Sequence, residues 1–189
     1  MASGPQPFNY GWVIVGAAVV VLTMSYGMIF SYGLFLPHIM AELGGDRSLA
    51  TLPFSLCVVS YSLLSPVTGR IVDAYGARAV VLVGAALLGG GFWGLSRSSE
   101  AWQVFVSFGL ITGAGMSAAY IPMTATVVRW FDARRGLALA IASQGLSASV
   151  VIGPMIAAAL ILDHGWRQAA LIFGVVGGLT IAASGLILR

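Results

Sequence analysis

The stretch G-R-I-V-D-A-Y-G-A-R at 69–78 gathers Gly69, Arg70, Asp73, Gly76 and Arg78 in a chain that is only 8% charged. A carboxylate set among guanidinium groups makes charge-assisted hydrogen bonds that can form and break without any covalent step. A second set of reactive side chains bears hydroxyl or amide groups inside apolar sequence. It comprises Thr23, Ser25, Tyr26, Ser31 and Tyr32, then Thr112, Ser117, Tyr120 and Thr124, then Ser143, Gln144 and Ser147. Phenol groups in such a setting can donate hydrogen bonds to a carboxylate while their rings shape an apolar pocket. No H-E-x-x-H, no G-x-S-x-G and no Asp or Glu pair occurs within the apolar runs, which argues against an intramembrane enzyme. No catalytic residue, cofactor or metal site is expected.

The elements that must position these groups are membrane spans. Of 189 residues, 59% are hydrophobic and mean hydropathy is +0.96, with 25 glycines and seven prolines. Soluble domains are about 25% charged, so this chain could not cover a core with polar surface. Its nine basic residues are all arginine and fall between apolar runs, which speaks against a nucleic-acid surface. The lone Cys57 can form no internal disulfide and reads as a small packing residue. A spanning helix needs about 20 apolar residues, and six such runs occur, near 11–40, 49–69, 78–96, 101–128, 136–162 and 167–188. The first segment, 1–10, has no basic n-region, so the first run is expected to remain as a span rather than be cleaved as a signal peptide.

Arginine placement orients the chain. With the N-terminus inside, Arg70, Arg78, Arg129, Arg134, Arg135 and Arg189 face the cytoplasm, against Arg47, Arg97 and Arg167 outside. The positive-inside rule then puts both termini, residues 1–10 and the 69–78 stretch on the cytoplasmic side of a cell membrane.

The chain also repeats itself. G-M-I-F-S-Y at 27–32 parallels G-M-S-A-A-Y at 115–120, an offset of 88, and the same offset carries Pro66 onto Pro154. D-A-Y-G-A-R at 73–78 is echoed by D-H-G-W-R at 163–167, and Trp12 by Trp102. Three crossings end on the face opposite their start, so a second copy must be inserted upside down. The expected fold is all-α, six spans as a three-plus-three inverted repeat, about 11–96 and 101–188, the architecture that lets a shared site open to either side.

With Gly69, Asp73, Gly76 and Arg78 in place, the 69–78 stretch resembles the loop 2–3 signature of the major facilitator superfamily, G-x-x-x-D-(R/K)-x-G-(R/K)-(R/K). Ala74 and Ala77 depart from it, each losing a basic residue. R-W-F-D-A-R-R-G-L-A-L-A-I-A-S-Q-G at 129–145, with Tyr120 and Pro122 upstream, is similar to the helix 4–5 region of monocarboxylate-transporter-like and oxalate–formate-antiporter-like members. N-Y-G-W-V-I-V at 9–15 and Y-G-L-F-L-P-H-I at 32–39 are similar to their first helix.

The resemblance covers the N-terminal six-helix half of that fold. It implies secondary active transport of small organic anions, monocarboxylates above all, by alternating access. It implies that spans 1 and 4 line the cavity; the expected substrate contacts there, from the repeat and from the pocket that phenol and amide groups would make, are Tyr26, Tyr32, Tyr120 and Gln144. It implies that Gly69, Asp73, Gly76, Arg78 and Arg129 form a cytoplasmic gate in which Asp73 pairs with Arg129. Expected partners are the lipid bilayer, the anion and a second six-helix half or a homodimer mate. The alternative is a non-transporting six-helix membrane protein, a transporter remnant that binds or regulates a full-length relative.

Overall fold

In the computed structural model the described residues are 8–43, 47–131 and 134–188, and their secondary structure is entirely helical. Arg189, expected on the cytoplasmic side, and most of the 1–10 segment lie outside the described residues. Among the described residues six helices are long and apolar enough to cross a membrane: Tyr10–Leu43, Thr51–Tyr75, Ala77–Ser96, Ala101–Trp130, Arg135–His164 and Trp166–Ile187, here spans 1 to 6. In hydrocarbon every backbone N–H and C=O must be satisfied within the segment, which leaves a helix as the only form open to such runs. Cys57 is buried in span 2, as a packing residue would be.

Two spans are irregular. Span 1 is two helices, Phe8–Phe30 and Tyr32–Leu43, separated by Ser31. Ser31 turns its hydroxyl back onto the Gly27 carbonyl at 2.6 Å. Pro37, six residues further, has no N–H to donate to the helix. Span 4 opens with Ala101–Val104 and widens into π-helical turns over Phe105–Thr112 before continuing as Gly113–Trp130. Thr112 helps close the wide turn, its hydroxyl donating to the Ser107 carbonyl at 3.1 Å.

The packing of the spans carries the repeat. Span 1 packs on spans 5, 6 and 4, span 4 packs on spans 2, 3 and 1, and spans 3 and 6 pack on each other. Exchanging 1 with 4, 2 with 5 and 3 with 6 turns the pairs 1–5 and 1–6 into 4–2 and 4–3. The same exchange leaves 1–4 and 3–6 as they are. The two triplets therefore occupy interchangeable places.

The turns repeat as well. The expected loop between spans 2 and 3 is a single residue: helix runs through Asp73 to Tyr75, and Gly76 alone separates it from Ala77. Gly165 does the same between spans 5 and 6. Gly76 (φ 85°, ψ 157°) and Gly165 (φ 77°, ψ 160°) adopt one conformation. They are the only positive-φ positions among the described residues. Glycine alone enters that region without strain, which explains why a one-residue reversal is possible and why the charged residues stay on helix.

Close crossings hold the triplets together. Span 1 meets span 5 at Gly27 and Gly153, where a Cβ on Gly153 would lie 2.6 Å from the Gly27 carbonyl oxygen. Span 4 meets span 2 where a Cβ on Gly113 would lie 2.8 Å from the Cys57 carbonyl oxygen. Each crossing is sealed by a buried hydroxyl: Thr23 donates to the Gly145 carbonyl at 3.1 Å, and Thr68 and Ser117 share a hydrogen bond of 2.8 Å. Small residues are what let backbones approach this closely in lipid. The aromatic core lies to one side, with Phe35, Phe92 and Phe173 edge-on and Phe108 joined to Phe92.

Gly153→Ala is expected to force spans 1 and 5 apart and to lower stability by about 1–3 kcal/mol, the scale of overpacking. Gly16→Ala, where nothing lies within 4 Å of the new Cβ, should leave it unchanged or slightly raised. Thermal unfolding of the two variants in one detergent checks this.

Candidate functional site

Asp73 sits on the last turns of span 2 and Arg129 on the last turn of span 4, two spans already held together by the Gly113 crossing. The Arg129 Nη2 lies 3.3 Å from Asp73 Oδ1. Their side chains are 62% and 76% exposed, so the pair is a single long contact open to its surroundings. An interaction of that kind holds weakly and exchanges readily. Gly69 marks no close helix approach: a Cβ there would lie 4.0 Å from the Ile121 side chain, an ordinary contact. Gly76 supplies the tight turn. Arg78, the second residue of span 3, is exposed and forms no ion pair among the described residues.

The expected substrate residues divide. Tyr26 and Tyr120 come together, their rings edge to face with centroids 6.4 Å apart. A residue that sequence reading missed, Tyr61 of span 2, completes the group: its hydroxyl lies 3.4 Å from that of Tyr26. That separation is long for an O–H···O bond, whose usual length is about 2.7–2.8 Å, so both oxygens keep capacity for another partner. All three tyrosines are half-buried, and Phe30 flanks Tyr26 with ring centroids 6.2 Å apart. A signal for Tyr61 was available. It lies in the middle of its span, far from either interface where tyrosine ordinarily anchors.

Tyr32 and Gln144 go elsewhere. Tyr32 is buried, stacked on Phe108 of the π-helical turns at 4.0 Å and on Phe54 of span 2 at 6.3 Å. Gln144 is exposed on span 5. The repeat equates Tyr32 with Tyr120, yet only Tyr120 meets Tyr26. The break at Ser31 precedes Tyr32 by one residue and has no counterpart before Tyr120, so the two rings leave their helices into different surroundings.

With this geometry established, comparison with known proteins decides the family. The family model described as Major Facilitator Superfamily matches residues 14–189. The chain belongs to the major facilitator superfamily. Within it the sequence is monocarboxylate-transporter-like. It is 33% identical over 178 residues to monocarboxylate transporter 11 of Homo sapiens, covering 92% of this chain and 37% of that relative. It is 30% identical over 181 residues to monocarboxylate transporter 9 of Mus musculus, covering 96% and 35%. The chain thus spans well under half the length of the curated relatives it matches.

Among solved structures, the peptide transporter POT in complex with sulfate superposes with a TM-score of 0.75 at 17% identity, over 95% of this chain and 39% of that one. That likeness establishes the fold: this is the N-terminal half of a major facilitator bundle. The multi-pass membrane character follows from the family and the six spans together.

Asp73→Asn should leave unfolding of the detergent-solubilised chain almost unchanged, within about 1 kcal/mol, because exposed pairs contribute little. A larger loss in a thermal melt would mean that the pair supports folding rather than exchange.

Proposed function

We propose that this chain is one transporting half of a secondary active carrier for small organic anions, monocarboxylates above all, working by alternating access. The observation that carries the reading is the exchange symmetry of the spans, in a chain that belongs to a transporter family. Two inverted triplets around a shared centre can present that centre to either side in turn. The monocarboxylate transporters among its relatives support the choice of substrate.

In this reading Tyr26, Tyr61 and Tyr120 line the half-site. Their hydroxyls donate to the carboxylate and their rings enclose its short apolar tail. Both termini and Asp73 face the cytoplasm of a cell-membrane protein, as the arginine bias supports. Asp73 and Arg129 then form the cytoplasmic gate, with Gly76 setting the turn and Arg78 beside it. Asp73 closes that gate by facing the start of a helix in the opposing bundle, where a carboxylate is favoured by about 0.3–1 kcal/mol. Spans 2 and 5 are the least buried of the six and are exchanged by the repeat. They are the faces on which a second six-helix bundle, or a second copy of this chain, would pack.

Reconstituted chain, alone and with a co-expressed second bundle from a monocarboxylate-transporter relative, is expected to exchange labelled C2–C4 monocarboxylates across liposomes. It should not exchange an uncharged analogue. Tyr61→Phe and Tyr120→Phe should each reduce exchange about tenfold, the scale of about 1.4 kcal/mol from a lost hydrogen bond to a charged group. No exchange above empty liposomes in either preparation would refute the reading and favour a non-transporting membrane partner.

Asp73→Asn should leave monocarboxylate binding intact and shift the carrier toward the inward-open form. Single-cysteine labelling from each side reports this, and unchanged labelling on both sides would contradict the gate.

A further inference from the structure

The face of the bundle opposite Asp73 carries a second acid–arginine pair, and it is built differently. Glu42 ends the outer helix of span 1, Tyr32–Leu43, and Arg167 follows Gly165 by two residues, as Arg78 follows Gly76. Glu42 Oε1 accepts from Arg167 Nη2 at 2.8 Å and from Nε at 3.0 Å, while Oε2 accepts from the Trp166 indole at 2.7 Å. The same guanidinium donates to the carbonyls of Ser96 at 3.0 Å and Ser98 at 2.6 Å, at and just past the end of span 3, and lies over the Trp166 ring at 4.6 Å. The end of span 1 is thereby tied to span 6 and to the end of span 3. The side chains of Arg167 and Glu42 are 34% and 47% exposed, each well below the values at Asp73 and Arg129.

Three observations give this clasp something to hold. The segment it secures is a separate helix, because span 1 breaks at Ser31. The Ser31 N–H and hydroxyl both bond back to Gly27, and Leu34 bonds to Ser31, so the two helices meet at one residue whose bonds stay within the chain. Beside the segment, a cavity of about 290 Å³ lies between spans 1 and 2, lined by Phe30, Tyr32, Gly33, Leu36, Thr51 and Phe54. The segment therefore has a pivot, a cavity along one side that its movement can widen, and a fastening at its far end.

We propose that Glu42 and Arg167 form a releasable clasp that docks the Tyr32–Leu43 helix as a lid, and that its opening lets the lid swing about Ser31 and widen the cavity beside Phe54. It is the inverted counterpart of the Asp73–Arg129 pair: the end of span 1 meets the turn before span 6, where the end of span 4 meets the turn before span 3. The acid and the base have traded places. The multidentate fork makes the Glu42 clasp the firmer of the two, so the two ends of the bundle loosen unequally. This rests on intramolecular geometry and is independent of substrate and of which face is cytoplasmic.

The test is maleimide labelling in nanodiscs, where both faces are accessible, on a Cys57→Ser background. Leu36→Cys reports the lid and Leu95→Cys, fully buried in span 3, reports the body of the bundle. Glu42→Gln and Arg167→Gln should each raise labelling at position 36 roughly tenfold and leave position 95 protected. Should either clasp variant fail to fold, the Leu36→Cys chain with the clasp intact should still label faster as salt is raised, because a half-exposed pair is screened. Labelling at position 36 that ignores both substitution and salt, or that rises equally at position 95, overturns the proposal.

Discussion

The close crossing of span 1 on span 5 at Gly27 and Gly153, matched by span 4 on span 2 at Gly113, is the constraint from which the rest of the bundle follows. Lipid gives apolar helices no hydrophobic reason to associate, so contact must come from packing and from hydroxyls that have no better partner. Two backbones meeting through glycine gain dispersion contacts along several turns. Thr23 on the Gly145 carbonyl and Thr68 on Ser117 then fix the register. Once spans 1 and 4 are fixed in this way, spans 3 and 6 close the outside against each other. The tyrosines of spans 1, 2 and 4 are left facing a common space.

The same arrangement places the charges. A single glycine at 76 and another at 165 reverse the chain within one residue, which brings the last turn of span 2 against the end of span 4 and the first turn of span 6 against the end of span 1. Each junction then acquires an acid and an arginine, but of opposite order. At Asp73 the contact is single and exposed. At Glu42 one guanidinium serves a carboxylate and two carbonyls at once. Inverted copies of one backbone plan have thus produced a loose fastening at one end and a firm one at the other, because side-chain identity is not bound by the symmetry that governs the helices.

How much was legible beforehand depended on whether a property is local. Six spans could be counted from hydropathy, and the repeat from an offset of 88 residues. The contact of Asp73 with Arg129 was expected from a family signature. The one-residue turn at Gly76 was not, since a charged stretch reads as a loop whether or not the helix continues through it. Tyr61 was overlooked and Tyr32 was grouped with Tyr120, because spacing along a helix says nothing about how that helix is rotated against its neighbours. The break at Ser31 sends Tyr32 onto Phe108, and only packing reveals it.

Sequence alone determined that this chain crosses a membrane six times, in two related triplets, as part of the major facilitator superfamily. These follow from composition and order, which each segment carries within itself. Tertiary structure alone decided which hydroxyls converge, how tightly each acid meets its arginine, and that span 1 is two helices with a fastening at its tip. Those features depend on the rotation and depth of one helix against another, fixed by contacts between residues far apart in the sequence, from Tyr26 with Tyr61 to Glu42 with Arg167.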